Sequence, residues 1–146
     1  MERGAEIYTF AFVPKECSRI WDPLRRKEVA ATPEESVRQW FIGILRDSLG
    51  VPEHMMMSEV GFKLGHKDFR ADILVHGRSL KPVMIVECKR PDVTLDRKVI
   101  DQALRYNMVL DVRYIVITNG TKTYCFSKDG GNFTQAKALP LWDDMK

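Results

Sequence analysis

The run Val83-Met84-Ile85-Val86-Glu87-Cys88-Lys89 constrains this chain more than any other stretch. Four consecutive apolar residues predict a central strand buried on both sides, and a Glu and a Lys then stand two residues apart. Side chains alternate along a strand, so Glu87 and Lys89 point to one face and Cys88 to the other. Two charges at the end of a buried strand are costly unless they are paired, solvated or bound to a metal.

The preceding strand-like run, Phe69-Arg70-Ala71-Asp72-Ile73-Leu74-Val75, carries one acid. If the two runs pair as a hairpin, Asp72 and Glu87 lie side by side on one face. Adjacent carboxylates repel and raise each other's pKa. A divalent cation between them removes that penalty, and oxygen ligands with open water positions suit Mg²⁺ or Mn²⁺ rather than zinc. Beside such a metal, Lys89 can orient or deprotonate an attacking water and stabilise the charge building on a phosphodiester. The metal polarises the phosphoryl oxygen and lowers the pKa of its bound water. Taken singly, these are ordinary features: a Glu-x-Lys at a strand end is commonly a surface pair, and a strand Asp can face solvent. It is their order beside one buried strand that points to a site.

The flanking sequence predicts the scaffold. Thr32-Pro33-Glu34-Glu35 starts a helix: Thr32 caps it, Pro33 suits the first position, and the acids favour the positive end of the helix dipole. Val37, Trp40, Phe41, Ile44 and Leu45 recur at steps of three and four, predicting an amphipathic helix that ends near Gly50. Strands follow at about 58–64, 69–76 and 83–89, with a turn at Gly65-His66. A second helix is predicted over about 95–110, with Val99, Ile100, Ala103, Leu104 and Met108 inward. A strand at 114–118 ends at Asn119-Gly120 and pairs with 123–127. Shorter strands are suggested at Tyr8, Phe10 and Phe12 and at 25–31, while the tail beyond Gly130 is weakly patterned. Helix, three strands, helix, strand, strand makes an α/β domain with a mixed central sheet flanked by helices.

With 146 residues, 45% hydrophobic and 29% charged, the chain is sized for one domain over 1–146 that buries a core without staples. Cys17, Cys88 and Cys125 form no metal spacing or disulfide framework, which suits a reducing cytoplasm. No signal peptide or membrane-spanning run is expected. A formal charge of +3 permits nucleic-acid binding without arguing for it. The basic clusters Arg25-Arg26-Lys27, Lys63/Lys67/Arg70 and Lys89-Arg90 read first as solvated faces. His54, His66 and His76 read as surface or turn residues. Met55-Met56-Met57 and the tryptophans 21, 40 and 142 read as packing, and Cys88 as a buried thiol.

Asp72, with Glu87-Cys88-Lys89 about fifteen residues on, resembles the signature of the PD-(D/E)xK nuclease superfamily, which has the restriction-endonuclease-like core (αβββαβ). Residues 32–39 resemble the helix that holds that group's first acid. Gln102-Ala103-Leu104-Arg105-Tyr106 resembles the Gln-x-x-x-Tyr pattern of RecB-like nucleases. Residues 85–91, with Asp101-Gln102, Tyr106-Asn107 and Thr118-Asn119-Gly120, resemble the N-terminal nuclease domain of type I restriction enzyme R subunits. The resemblance spans about 25–127, and the order and spacing of its motifs together are specific. Ala71 stands where the superfamily name has proline, a variable position.

The resemblance implies a Mg²⁺-dependent DNA endonuclease, with Mn²⁺ as a possible substitute. Asp72, Glu87 and the Cys88 carbonyl would bind the metal. Glu35, or Glu34 as second choice, would reach it through water. Lys89 would be catalytic, with Gln102 and Tyr106, one helical turn apart, lining the site. Gln102 and Tyr106 could equally be a helix edge packed on the sheet. No Gly-x-x-x-x-Gly-Lys phosphate loop is present, so the expectation is a motor in trans, a stand-alone nuclease or a remnant. The expected partners are DNA, a separate motor or other restriction-modification subunits, and a second copy. A non-catalytic DNA-binding module on the same fold is the alternative, and a generic α/β domain with a solvated strand end is the weaker third reading.

Overall fold

Two helices and a six-stranded sheet organise the protein in a computed structural model that describes residues 19–145. The strand expected around Tyr8–Phe12, and Cys17, lie outside the described residues. A two-stranded hairpin opens the described chain, β1 (Arg19–Asp22) with β2 (Lys27–Ala30). The Asp22 carboxylate shapes its turn by accepting the N–H groups of Leu24 at 2.8 Å and Arg25 at 3.2 Å, a side-chain mimic of a backbone turn.

Helix α1 (Pro33–Gly43) begins as its sequence predicts: Thr32 Oγ1 accepts the Glu35 N–H at 3.1 Å, and Pro33 fills the first turn. Val37, Phe41 and Ile42 face inward. The last turn widens into a π-helical stretch over Ile44–Ser48, and Gly50 closes it at φ 77°.

Strands β3 (Met56–Leu64), β4 (Lys67–His76) and β5 (Pro82–Cys88) form a meander. Helix α2 (Arg97–Asn107), capped by Asp96, then crosses over so that β6 (Tyr114–Thr118) lies parallel to β5. β7 (Thr123–Asp129) and β8 (Asn132–Gln135) continue antiparallel, giving the order β3-β4-β5-β6-β7-β8. The sheet carries a core on each side. Phe41, Leu45, Val75, Met84 and Val86 pack on the α1 side. Leu74, Ile85, Ile100, Ala103 and Ile117 pack on the α2 side. Burying each large side chain contributes about 1.5–3 kcal/mol. Among the described residues no helix is long and apolar enough to cross a membrane.

Several expectations need correction. α2 ends at Asn107, so Met108 lies past its last turn and is 47% exposed rather than inward. Trp21 is 57% exposed, because β1 alternates and presents Trp21 to the side opposite Ile20 and Asp22. Met57 likewise faces out, while Met56 is core. β1 and β8 were not anticipated; four-residue strands are too short to show a period.

Gly77 marks a tight approach beneath β5. A Cβ there would lie 2.8 Å from Val83 Cγ1 and 3.5 Å from the Met145 carbonyl oxygen. Val83 is buried and β-branched, with little rotamer freedom to yield. Gly77→Ala is expected to lower stability by about 1–3 kcal/mol, read as a lower urea midpoint. An unchanged midpoint would show that the contact relaxes at no cost.

Candidate active site

The site lies where the sheet loses its regularity. The β4–β5 ladder runs from Val75↔Met84 to Ile73↔Val86 and stops. One step on, the same register sets Asp72 opposite Glu87. On the other flank, Ser58↔Ile73 and Val60↔Ala71 bracket Glu59 and Asp72. Glu59 holds φ 55°, a left-handed conformation uncommon for a non-glycine residue. Alternation on β4 also breaks here: Phe69 and Ala71 pack on the α2 side, and so does Leu74. Local backbone strain at the end of paired strands thus coincides with the acids.

A pocket of about 700 Å³ opens at this point between the start of α1 and the face of α2. Glu35, Asp72, Glu87, Lys89, Gln102 and Tyr106 all line it, as does Glu34. The Cys88 side chain does not. It is buried in the core on the α1 side, and burial pushes its thiol well above the usual range.

Asp72 Oδ2 accepts the Cys88 N–H at 2.7 Å, and Oδ1 lies 3.5 Å from Arg38 Nη2. Its carboxyl is pushed up to about 6, chiefly by burial. The Cys88 hydrogen bond and Arg38 oppose that rise, and the charges of Glu34 and Glu87 add to it. Glu87 Oε1 accepts from Asn107 Nδ2 at 2.8 Å, and Oε2 pairs with Lys89 Nζ at 2.8 Å. Burial acts to lower the Lys89 pKa, but the hydrogen bond and charge of Glu87 hold it above its ordinary value. The Lys89 N–H continues the β5–β6 pairing by donating to the Thr118 carbonyl at 2.8 Å.

The two helix acids differ. Glu35 is buried, and both its oxygens are engaged: Oε1 by Arg38 Nη1 at 2.7 Å and Arg25 Nη2 at 2.8 Å, Oε2 by Gln39 Nε2 at 2.9 Å. Glu34 is half-exposed, with Arg38 Nη2 at 3.9 Å. Tyr106 stacks on Phe69 with centroids 4.6 Å apart, and its hydroxyl accepts the Arg70 N–H at 3.1 Å. It therefore ties α2 to β4. Gln102 is exposed at the rim.

Three residues with no role assigned from sequence, Arg38, Glu59 and Asn107, complete the site. Arg38 is 4% exposed and reaches Glu34, Glu35, Glu59 and Asp72 with one guanidinium. Its spacing of three from Glu35 was the available signal. Glu59 adds a further carboxylate, which Arg70 pairs from across the hairpin. The Gly65-His66 turn foretold that register. Asn107 follows Tyr106 directly. Among the clustered basic residues, Arg70 lines the pocket, while Lys63 and Lys67 do not, and Arg90 pairs with Asp92.

Among the described residues, no group of three or more His, Cys, Asp or Glu side chains is arranged to hold a metal ion. The donor set is nonetheless compatible with Mg²⁺, which is commonly bound by one or two carboxylates and keeps several waters. Asp72 and Glu87 supply two carboxylates.

Fold and site define a mixed α/β domain with an acidic, lysine-bearing pocket where its central strands part. The chain belongs to the family of the type I restriction enzyme R protein N terminus (HSDR_N), whose sequence profile matches residues 33–140. It is a restriction-enzyme-related module. A solved fragment of a protein described as an HsdR subunit of a type I restriction enzyme, from Vibrio vulnificus YJ016, is similar in fold. Its TM-score is 0.57 with 18% identity, covering 78% of this chain and 24% of that one. The chain thus spans 24% of the length of that structure. No curated protein matches the chain.

Proposed function

We propose that this chain is a Mg²⁺-dependent deoxyribonuclease domain of the PD-(D/E)xK type, on a restriction-endonuclease-like core, that hydrolyses DNA phosphodiesters within a restriction system. One observation carries the reading: Asp72, Glu87 and Lys89 open on a single pocket at the point where β4 and β5 separate. Asp72 and Glu87, with the Cys88 carbonyl, would hold the ion. Bound there, it would supply a Lewis acid for the phosphoryl oxygen and a more acidic water. Lys89 keeps its proton at neutral pH, so it serves as a cation and donor that orients the nucleophile and steadies phosphate charge. We assign the water-bridged helix acid to Glu34, because the oxygens of Glu35 are already engaged. Gln102 stands at the rim toward DNA, and Tyr106 holds the β4 wall in place. Other restriction subunits, including an ATP-driven motor, are the partners this reading calls for, and Mn²⁺ is its alternative metal.

The test is direct. Purified protein with Mg²⁺ or Mn²⁺ is expected to nick or linearise supercoiled plasmid or to cut single-stranded DNA, and EDTA is expected to stop it. Folded, metal-loaded protein that leaves both substrates intact would sink the proposal.

One observation favours a second reading, a non-catalytic DNA-binding module. Arg38 leans on Asp72 and Lys89 on Glu87, so each acid already has a resident cation. DNA retention without cleavage, unchanged by EDTA and by Glu87→Ala, would establish it.

A further inference from the structure

The β1–β2 hairpin lies N-terminal to the stretch matched by the family profile, yet it reaches into the site. Its turn is an unusual structure for an exposed connection. Asp22 is fully buried, Arg26 adopts a left-handed φ of 56°, and the Asp22 carboxylate takes both the turn N–H groups and the Arg25 guanidinium. Burying a carboxylate is costly unless it is paired. The arrangement aims one guanidinium inward. Arg25 Nη2 lies 2.8 Å from Glu35 Oε1, the same oxygen that accepts Arg38 Nη1 at 2.7 Å. Arg25 therefore does not belong to a solvated basic face, as its place in the Arg25-Arg26-Lys27 cluster suggests. It is the second link in a chain of charges running Asp22, Arg25, Glu35, Arg38, Asp72.

We propose that Arg25 is a positioning residue of the acidic pocket: by sharing Glu35 Oε1, it fixes Glu35 and so holds the Arg38 guanidinium over Asp72. This rests on the reading of Asp72 and Glu87 as metal ligands. Arg38 meets Glu35 at hydrogen-bond distance but Asp72 only at 3.5 Å, so its hold on Asp72 depends on how Glu35 is shared. Without Arg25, Glu35 draws Arg38 to itself. Asp72 then loses its resident counter-ion and becomes the better ligand for a divalent cation. The hairpin thereby sets how strongly the pocket competes for metal.

The experiment is calorimetric titration of Mn²⁺ into wild-type protein, Arg25→Met, Arg25→Lys, Arg38→Met and the Arg25→Met/Arg38→Met double variant, each checked for folding by circular dichroism. Arg25→Met is expected to tighten Mn²⁺ binding roughly tenfold, the size of coupling seen between contacting groups. Arg25→Lys is expected to do the same, because an ammonium cannot bridge Asp22 and Glu35 as a planar fork does. In the Arg38→Met background the Arg25 substitution is expected to change nothing. If Arg25→Lys binds like wild type, or the Arg25→Met effect persists without Arg38, Arg25 acts only as a distant charge and the proposal falls. The Arg25→Lys comparison decides alone should Arg38→Met fail to fold. Absence of Mn²⁺ binding by the wild-type protein would instead overturn the metal reading, and this inference with it.

Discussion

Replacing Lys89 by Met is expected to lower DNA cleavage by about 10²–10⁴-fold while Mn²⁺ binding is retained. The two effects separate because Lys89 and a metal bound as proposed would both act on Glu87 as cations. Lys89 Nζ pairs with Glu87 Oε2, and Asn107 holds Oε1. Removing the ammonium leaves Glu87 oriented by Asn107 and relieves it of a competing cation, so a divalent ion binds at least as well. What disappears is the donor that the proposed mechanism places beside the scissile phosphate. Methionine preserves the length of the stem, so the strand end stays packed. Single-turnover cleavage rates and Mn²⁺ calorimetry check both halves. A rate within about tenfold of wild type, with the protein folded and metal-bound, would remove Lys89 from the chemistry.

Asp72→Asn is expected to abolish metal binding and, in metal-free buffer above neutral pH, to make the protein more stable. Burial is the main reason the Asp72 carboxyl stands at about 6 instead of 3.8. A folded-state pKa raised above the unfolded one means that the folded protein holds the proton to higher pH. The associated stability is complete below about pH 4 and is lost as the pH rises through about 6. Full ionisation of Asp72 therefore costs on the order of 3 kcal/mol, which asparagine avoids while its side-chain oxygen still accepts the Cys88 N–H. The variant and wild type should unfold alike near pH 4 and diverge by about 1–3 kcal/mol by pH 8. Adding Mg²⁺ should close the gap by stabilising only the wild type. Urea unfolding across that pH range measures it. A variant less stable than wild type at pH 8 without metal would show that the ionised carboxylate is held favourably and that its burial carries no net cost.

How much of this was legible in the chain depends on how local each feature is. The strand at β5, the capped start of α1 and the shared face of Glu87 and Lys89 follow from alternation, capping and burial within a few residues, and the structure has them. The crossover α2 and the β6–β7 pair follow from apolar runs bounded by Asn119-Gly120. The ends of α2 shift by a few residues because the capping by Asp96 and the exposure of Met108 depend on where α2 meets the sheet. β8 and β1 carry too few residues for a period to show.

The sequence by itself determined the mixed α/β class, the order of the elements from α1 to β7 and the candidate acids Asp72 and Glu87 with Lys89, because these arise from side-chain periodicity along single segments. Only the tertiary structure decided that Arg38 and Arg25 enter the site, that Glu59 turns left-handed opposite Asp72, and that Glu35 is engaged while Glu34 stays open. Those facts depend on how the hairpin and α1 pack against the open end of the sheet. Charges that meet across separate elements are set by packing and mutual compensation, and neither is written in the spacing of residues along the chain.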